Sequence, residues 1–305
     1  MDNTRFSCAD PREQNLKPKN RKMCDIDVDL LNHLLTHYPS SSKSFLIQGL
    51  ENGFSIRAGA ILQSRFSRNH ASALSNPSFI HKKLQKELAL DHISGPYDNP
   101  PFKIMVCSPI GVVPKKEPGQ FRLILDLSYP KGHGINSGIP QEYSSVKYET
   151  FDDFVDILLS LPSGALASKA DIQHAFRILP IHPSDYHLLG FTWDKQYYFD
   201  KRLPMGASSS CATFESLSNA IQWILKQYKV QYVTHILDDF IFLGPPDSET
   251  CASGLEFFLL LMQQLGIPIN HQKNGKANYT HPGSWYTSRY KNINSFVTTG
   301  ETSRC

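Results

Sequence analysis

Two apolar runs, Tyr232-Val233-Thr234-His235-Ile236-Leu237 and Phe240-Ile241-Phe242-Leu243, flank the pair Asp238-Asp239. This stretch constrains the fold more than any other. Runs rich in β-branched and aromatic residues around a short polar pair read as two strands joined by a tight turn. Each strand has to bury a face, so the hairpin belongs inside a sheet with the aspartates at its tip. Like charges a few ångströms apart repel unless a cation sits between them. A further acid, Asp171, closes the strand-like segment Leu166 to Ile172, in which Ala167, Lys169 and Asp171 share one face. Carboxylates brought together from two strands could hold a pair of Mg²⁺ ions, one activating an attacking oxygen and one a leaving oxygen, as in phosphoryl or nucleotidyl transfer.

The chain of 305 residues is 40% apolar and 19% charged, enough for one or two globular domains with a real core. A net charge of +3 is too small to indicate nucleic acid by itself. Basic residues do cluster, at Lys17-Pro18-Lys19-Asn20-Arg21-Lys22, His81-Lys82-Lys83 and Lys115-Lys116. The six cysteines lie far apart and make no Cys-x-x-Cys or Cys/His ligand spacing. The longest apolar run, Phe257-Phe258-Leu259-Leu260-Leu261-Met262, is far shorter than the ~20 residues that span a bilayer. A location inside the cell is therefore expected, with cytoplasm and nucleus not distinguished and no membrane partner.

Asn76-Pro77 reads as a helix start, with Ile80, Leu84 and Leu88 recurring every four residues. Ser108 to Pro114 and Phe121 to Leu127 read as strands joined across Pro118-Gly119. In the second strand Phe121, Leu123, Leu125 and Leu127 share one face, so Arg122 points away from the apolar side. Phe151 to Leu161 is helix-like, Tyr197-Tyr198-Phe199 a strand, and Phe214, Leu217, Ile221, Ile224 and Leu225 follow a helical period. A Leu- and Phe-rich helix follows the acidic hairpin, from Leu255 to Leu265. This order predicts an α+β fold, an antiparallel sheet backed by helices on one face, with the Asp238 turn beside the end of the Asp171 strand.

At this point the residues resemble a known family. Ser108-Pro109-Ile110-Gly111-Val112-Val113-Pro114-Lys115-Lys116, Phe121-Arg122-Leu123-Ile124-Leu125-Asp126-Leu127-Ser128, Ala170-Asp171-Ile172, Leu203-Pro204-Met205-Gly206 and Leu237-Asp238-Asp239 look like the ordered motifs of retroelement reverse transcriptases. Leu127-Ser128-Tyr129-Pro130-Lys131-Gly132 looks most like retrotransposons of the tyrosine-recombinase (DIRS) type. The resemblance implies a polymerase fingers–palm fold, with an N-terminal extension over residues 1–75, fingers over 76–150, palm over 151–272 and a divergent tail over 273–305. It implies DNA synthesis from deoxynucleoside triphosphates on an RNA or DNA template-primer. Asp171, Asp238 and Asp239 match the metal-binding carboxylates, with the backbone carbonyl of Ile172 as a further ligand for two Mg²⁺ ions, or Mn²⁺ in their place. Phe176 matches the ring under the sugar that clashes with a 2′-hydroxyl. Lys115 and Arg122 match fingers residues that contact the incoming triphosphate. Gly206 lets the backbone approach the templating base pair, with Met205 beside it. Many family members carry Tyr-x-Asp-Asp where this chain has Ile236-Leu237-Asp238-Asp239, and Met205 stands where Gln or an aromatic residue is common. Neither change removes a metal ligand. His174 and His235 lie close to the aspartates without ligand spacing and read as ordinary strand-end histidines.

The resemblance fades after Leu265-Gly266-Ile267-Pro268-Ile269, and neither a thumb nor a ribonuclease H domain is recognisable. Codons for Lys273 to Thr280, read after dropping one base, permit Lys-Thr-Val-Lys-Pro-Thr-Thr, close to the family's continuation. A frameshift near Lys273 is the expectation, and the nucleotide sequence decides it.

Overall fold

The computed structural model describes residues 22–115, 119–270 and, for the backbone alone, 275–278. Among the described residues eight α-helices are formed: α1 (Val28–Leu34), α2 (Ser40–Asn52), α3 (Ala71–Leu74), α4 (Pro77–Ala89), α5 (Gln141–Ser144), α6 (Phe151–Leu159), α7 (Ser210–Gln227) and α8 (Thr250–Leu265). A five-stranded sheet has the order β1 (Arg65–Phe66), β3 (Val106–Cys107), β7 (Gly190–Trp193), β8 (Gln196–Asp200) and β2 (Ile93–Tyr97). A two-stranded sheet pairs β4 (Ile110–Pro114) with β5 (Phe121–Leu125). A four-stranded sheet runs β11 (Gly275–Asn278), β6 (Leu166–Asp171), β10 (Asp239–Gly244), β9 (Val233–Ile236), and every pairing in it is antiparallel. The rest of the tail, and with it the expected frame break at Lys273, lies outside the described residues.

The four-stranded sheet positions the acids, and the alternation of β10 explains its placement. Phe240 and Phe242 enter a core shared with Phe258 and Met262 of α8 and Phe214 and Leu217 of α7, whereas Ile241 and Leu243 enter a smaller cluster with Phe154 of α6, Ala165 and Ala167. A strand apolar on both faces belongs in the middle of a layered fold, which is why β10 reads as a continuous hydrophobic run. Helices therefore cover both faces, not one as expected. The face that carries α6 at its far end carries Lys169, Asp171 and Asp239 at the near end. Helix α6 starts where it does because Thr150 and Asp153 form a capping box: Asp153 N–H donates to Thr150 Oγ1 at 3.2 Å and Thr150 N–H to Asp153 Oδ2 at 2.6 Å.

The N-terminal residues say little by pattern, yet Ile26, Leu31, Leu35, Leu46, Leu50 and Phe54 are at most 2% exposed and join the same core as α7 and α8. Helix α4 begins at Pro77 as the sequence predicts, but Asn76 gives no side-chain cap. Its amide donates instead to the Ser72 carbonyl at 2.9 Å. A buried ion network ties α4 to the strands. Arg177 donates to Asp200 Oδ2 at 2.6 Å and to Glu87 Oε2 at 2.9 Å, and Glu87 also meets Lys83 at 2.6 Å and His92 at 2.9 Å. Burial pushes the Glu87 carboxyl up, but His92, Arg177 and Lys83 together outweigh it and hold the group well below the usual carboxylate range.

Candidate active site

Strand β6 delivers Asp171 at its last position, where it pairs directly with Asp239, the first residue of β10. Register alone thus brings together two acids 68 positions apart in the chain. Ile172 N–H donates to the Asp238 carbonyl at 3.0 Å, which extends the ladder one step past the strand. On the other side Asn270 N–H donates to the Asp171 carbonyl at 2.9 Å, and Asn270 Nδ2 donates to Asp171 Oδ2 at 3.2 Å. Asp171 is 4% exposed. Its backbone is therefore held from both sides, and its carboxylate by Asn270, before any ligand arrives.

Asp239 pairs with Ile236, so Leu237 and Asp238 form a two-residue loop. Leu237 has φ +53°, the left-handed region that a hairpin of this length often fills with glycine. A branched residue held there costs about 1–3 kcal/mol. The turn thus places a strained leucine next to the acid.

The Asp239 carboxyl titrates above its ordinary value, first because it is desolvated and then because Asp171 hydrogen-bonds and repels it, although Lys169 pulls the other way. Lys169 Nζ lies 2.6 Å from Asp239 Oδ2. The two residues stand on one sheet face, one register step apart. The expected cation cage is not closed by the aspartates alone: among the described residues no three His, Cys, Asp or Glu side chains are grouped to hold a metal ion. The Lys169 ammonium already engages one oxygen of Asp239. Two apposed carboxylates, one of them bound to a positive charge, could nonetheless hold a cation, and their oxygen donors suit Mg²⁺ or Mn²⁺.

Lys115 and Arg122 lie on the β4–β5 hairpin, where Arg122 pairs with Val113 and Lys115 N–H donates to the Gln120 carbonyl at 2.8 Å; both side chains are exposed. Phe176 follows His174 and Ala175, which have φ +62° and +25°, and its ring is 6% exposed, packed 5.1 Å from Phe214. It is a core side chain as well as a candidate sugar platform. Ile172 is 1% exposed and bridges Ile269. Met205 is 40% exposed beside Gly206. A Cβ on Gly206 would stand 2.5 Å from the Leu125 carbonyl oxygen of β5, and Asn136 Nδ2 donates to the Gly206 carbonyl at 2.8 Å. Glycine is thus required for packing against the fingers hairpin whatever else it does.

Sequence reasoning missed Lys169 as a site residue, and Asn270 entirely. It also missed Glu149, on the segment before α6, whose Oε2 accepts from Thr234 Oγ1 and, at 3.2 Å, from His235 N–H, while Gln222 Nε2 donates to its Oε1 at 2.8 Å. The one available signal was Lys169 two positions before Asp171, on the same strand face.

No family model matches the chain. It is similar to the Pro-Pol polyprotein of simian foamy virus type 1, 26% identical over 193 residues, 60% of this chain and 15% of that protein. It is also similar to the Gag-Pro-Pol polyprotein of Mason-Pfizer monkey virus, 24% identical over 204 residues, 62% of this chain and 10% of that protein. The chain thus spans only a small part of these relatives. Among solved structures it resembles a foamy viral protease-reverse transcriptase in complex with double-stranded DNA, at TM-score 0.57 and 19% identity, covering 86% of this chain and 46% of that one. The same viral enzyme in complex with an RNA/DNA hybrid gives TM-score 0.52 and 17% identity over 86% of this chain and 35% of that one. The fold is that of a reverse-transcriptase-like fingers–palm domain.

Proposed function

We propose that this chain is the fingers–palm part of a retrotransposon RNA-directed DNA polymerase, adding deoxynucleotides to a primer 3′-hydroxyl. The observation that carries it is the register pairing of Asp171 with Asp239 next to the Asp238 turn. Asp171, Asp238 and Asp239, with the Ile172 carbonyl, would hold Mg²⁺ or Mn²⁺, which when bound lowers the pKa of the primer hydroxyl and neutralises charge on the pyrophosphate. The chain's own groups do the rest. Asn270 and the β6–β10 ladder hold Asp171 in place, and Lys169 neutralises Asp239 until the cation arrives. Lys115 offers the triphosphate a point charge and Arg122 a planar fork. The ring of Phe176 closes the floor under the sugar, and Met205 and Gly206 line the approach of the template-primer. The Leu127 to Gly132 segment supports the DIRS type. Primer extension by the purified chain tests the reading: extension should need a divalent cation and deoxynucleotides, and incorporation that survives Asp238→Asn refutes the site.

A second reading is favoured by one observation. The Lys169–Asp239 pair already satisfies the acid that a second metal would need, as it would in a non-catalytic relic that binds nucleic acid weakly. Retention of duplex DNA by the chain at low salt, without any extension, is its signature.

A further inference from the structure

Beneath the acidic turn, the buried side of helix α7 carries Glu215 and Ser218 among its apolar residues, with Gln222 farther along the same stripe. Glu215 is 3% exposed and Ser218 is 0% exposed, one helical turn apart and flanked by Phe214, Leu217 and Ile221. Polar groups buried on such a face need partners. Both find one in the same residue. Glu215 Oε2 accepts from Leu237 N–H at 3.2 Å, and Ser218 Oγ donates to the Leu237 carbonyl at 2.8 Å. The backbone donor and acceptor of the strained residue before Asp238 are thus held by side chains of one rigid helix. The other Glu215 oxygen lies 3.3 Å from His235 Nε2, in contact but outside hydrogen-bond geometry. His235 is fully buried and stacked on Phe240, with ring centroids 5.1 Å apart.

Neither contact is needed to make a hairpin, since β9 and β10 pair through their own backbones. A left-handed leucine is unfavourable and persists only where its surroundings over-determine it. We infer that Glu215 and Ser218 are positioning residues: they lock the Leu237 peptide and so fix where Asp238 leaves the turn relative to the Asp171–Asp239 pair. The inference rests on the polymerase reading of that acidic site. It gives α7 a role in aiming the acids that is separate from its role in the core.

The test compares the full chain with Glu215→Gln, Glu215→Ala and Ser218→Ala, using primer-extension kinetics, Mn²⁺ binding followed by electron paramagnetic resonance without primer or nucleotide, and thermal melting. Glutamine keeps a carbonyl for Leu237 N–H, so Glu215→Gln should stay within about threefold of the parent in kcat, whereas the alanine variants should lose about tenfold or more, with KM for the nucleotide within about twofold. Mn²⁺ affinity should fall with kcat. Adding Ser218→Ala to Asp238→Asn should weaken Mn²⁺ binding no further, because the residue acts through that carboxylate. A merely structural role would lower the melting temperature of all three variants and leave Mn²⁺ affinity unchanged in those that stay folded, and that result overturns the inference. If Glu215→Ala does not fold, Ser218→Ala decides alone. A parent chain that neither extends a primer nor binds Mn²⁺ sinks the polymerase reading and the inference with it. A parent chain that does both, beside a Ser218→Ala variant indistinguishable from it, sinks the inference alone.

Discussion

Replacing Arg177 by methionine is the sharpest test of how this fold is held together. The guanidinium side chain is 17% exposed and bonds two carboxylates that are themselves 10% and 9% exposed, on Asp200 and Glu87. Methionine fills much the same volume but donates nothing. Glu87 keeps Lys83 and His92, whereas Asp200 keeps only the Arg202 N–H at 3.0 Å among the bonds described. Breaking a buried ion pair from one side costs about 3–5 kcal/mol, because the remaining charge stays desolvated. For a chain of this length each kcal/mol moves the melting temperature by about 2–4 °C, so a drop of roughly 10 °C is expected. The pH dependence has a definite sign. Glu87 titrates below its ordinary 4.5 in the folded state, so its stabilisation is complete above that value and is lost as pH falls toward the folded pKa. Arg177→Met weakens the depression, and the acid limb of stability should become shallower. Thermal melts by circular dichroism from pH 3 to 7 measure both effects. A drop under about 2 °C at neutral pH would refute the reasoning, since no buried charge could then have been stranded. Adding Asp200→Asn, which removes the stranded charge and leaves Glu87 with Lys83 and His92, should restore most of the loss.

Lys169→Met removes the ammonium that competes for Asp239, and it should lower the Mg²⁺ concentration for half-maximal extension by about fivefold, an ion pair of this partial exposure contributing ~1 kcal/mol; an unchanged or raised requirement would show that Lys169 does not compete. The same change should push the Asp239 carboxyl, already above its ordinary value, further up, visible by carboxyl NMR. Gly206→Ala forces a methyl against the Leu125 carbonyl and should cost about 1–3 kcal/mol in urea unfolding; a neutral result would mean that the loop moves freely. Phe176→Ala should cost about 3–5 kcal/mol as a core truncation, and only if Phe176 also floors the sugar will ribonucleotide incorporation rise relative to deoxynucleotide.

Much of the architecture was legible because it depends on local periodicity. The hairpin around Asp238-Asp239, the β4–β5 pair, the α4 start at Pro77 and the apolar stripe of α7 all follow from spacing within ten or twenty residues, and the α+β class follows from their order. The sequence places the Asp238 turn beside the end of the Asp171 strand, and the register that makes Asp239 the direct partner of Asp171 comes from the folded sheet. What stayed hidden are partnerships set by tertiary packing. Arg177 meets Glu87 across 90 positions, and nothing near either residue announces the other. Glu215 and Ser218 lie between the apolar positions of a helical stripe, and only the folded hairpin gives them partners, at Leu237. Leu30, Leu31, Leu34 and Leu35 make a short apolar-periodic piece in the sequence, but that Leu31, Leu35 and Leu46 join the main core is set by what α1 and α2 dock against. Helices on both faces were missed because the double-sided burial of β10 looks, in one dimension, like any apolar run.

Strand β9 is the outer margin of its sheet, and such margins recruit further chains unless something blocks them. Here the blocking is done by single side chains: Glu149 takes the His235 amide at 3.2 Å, and Gln222 covers the Val233 carbonyl at 3.0 Å. A strand added at that border would have to displace both side chains. The same carboxylate thereby raises the cost of pairing at the margin.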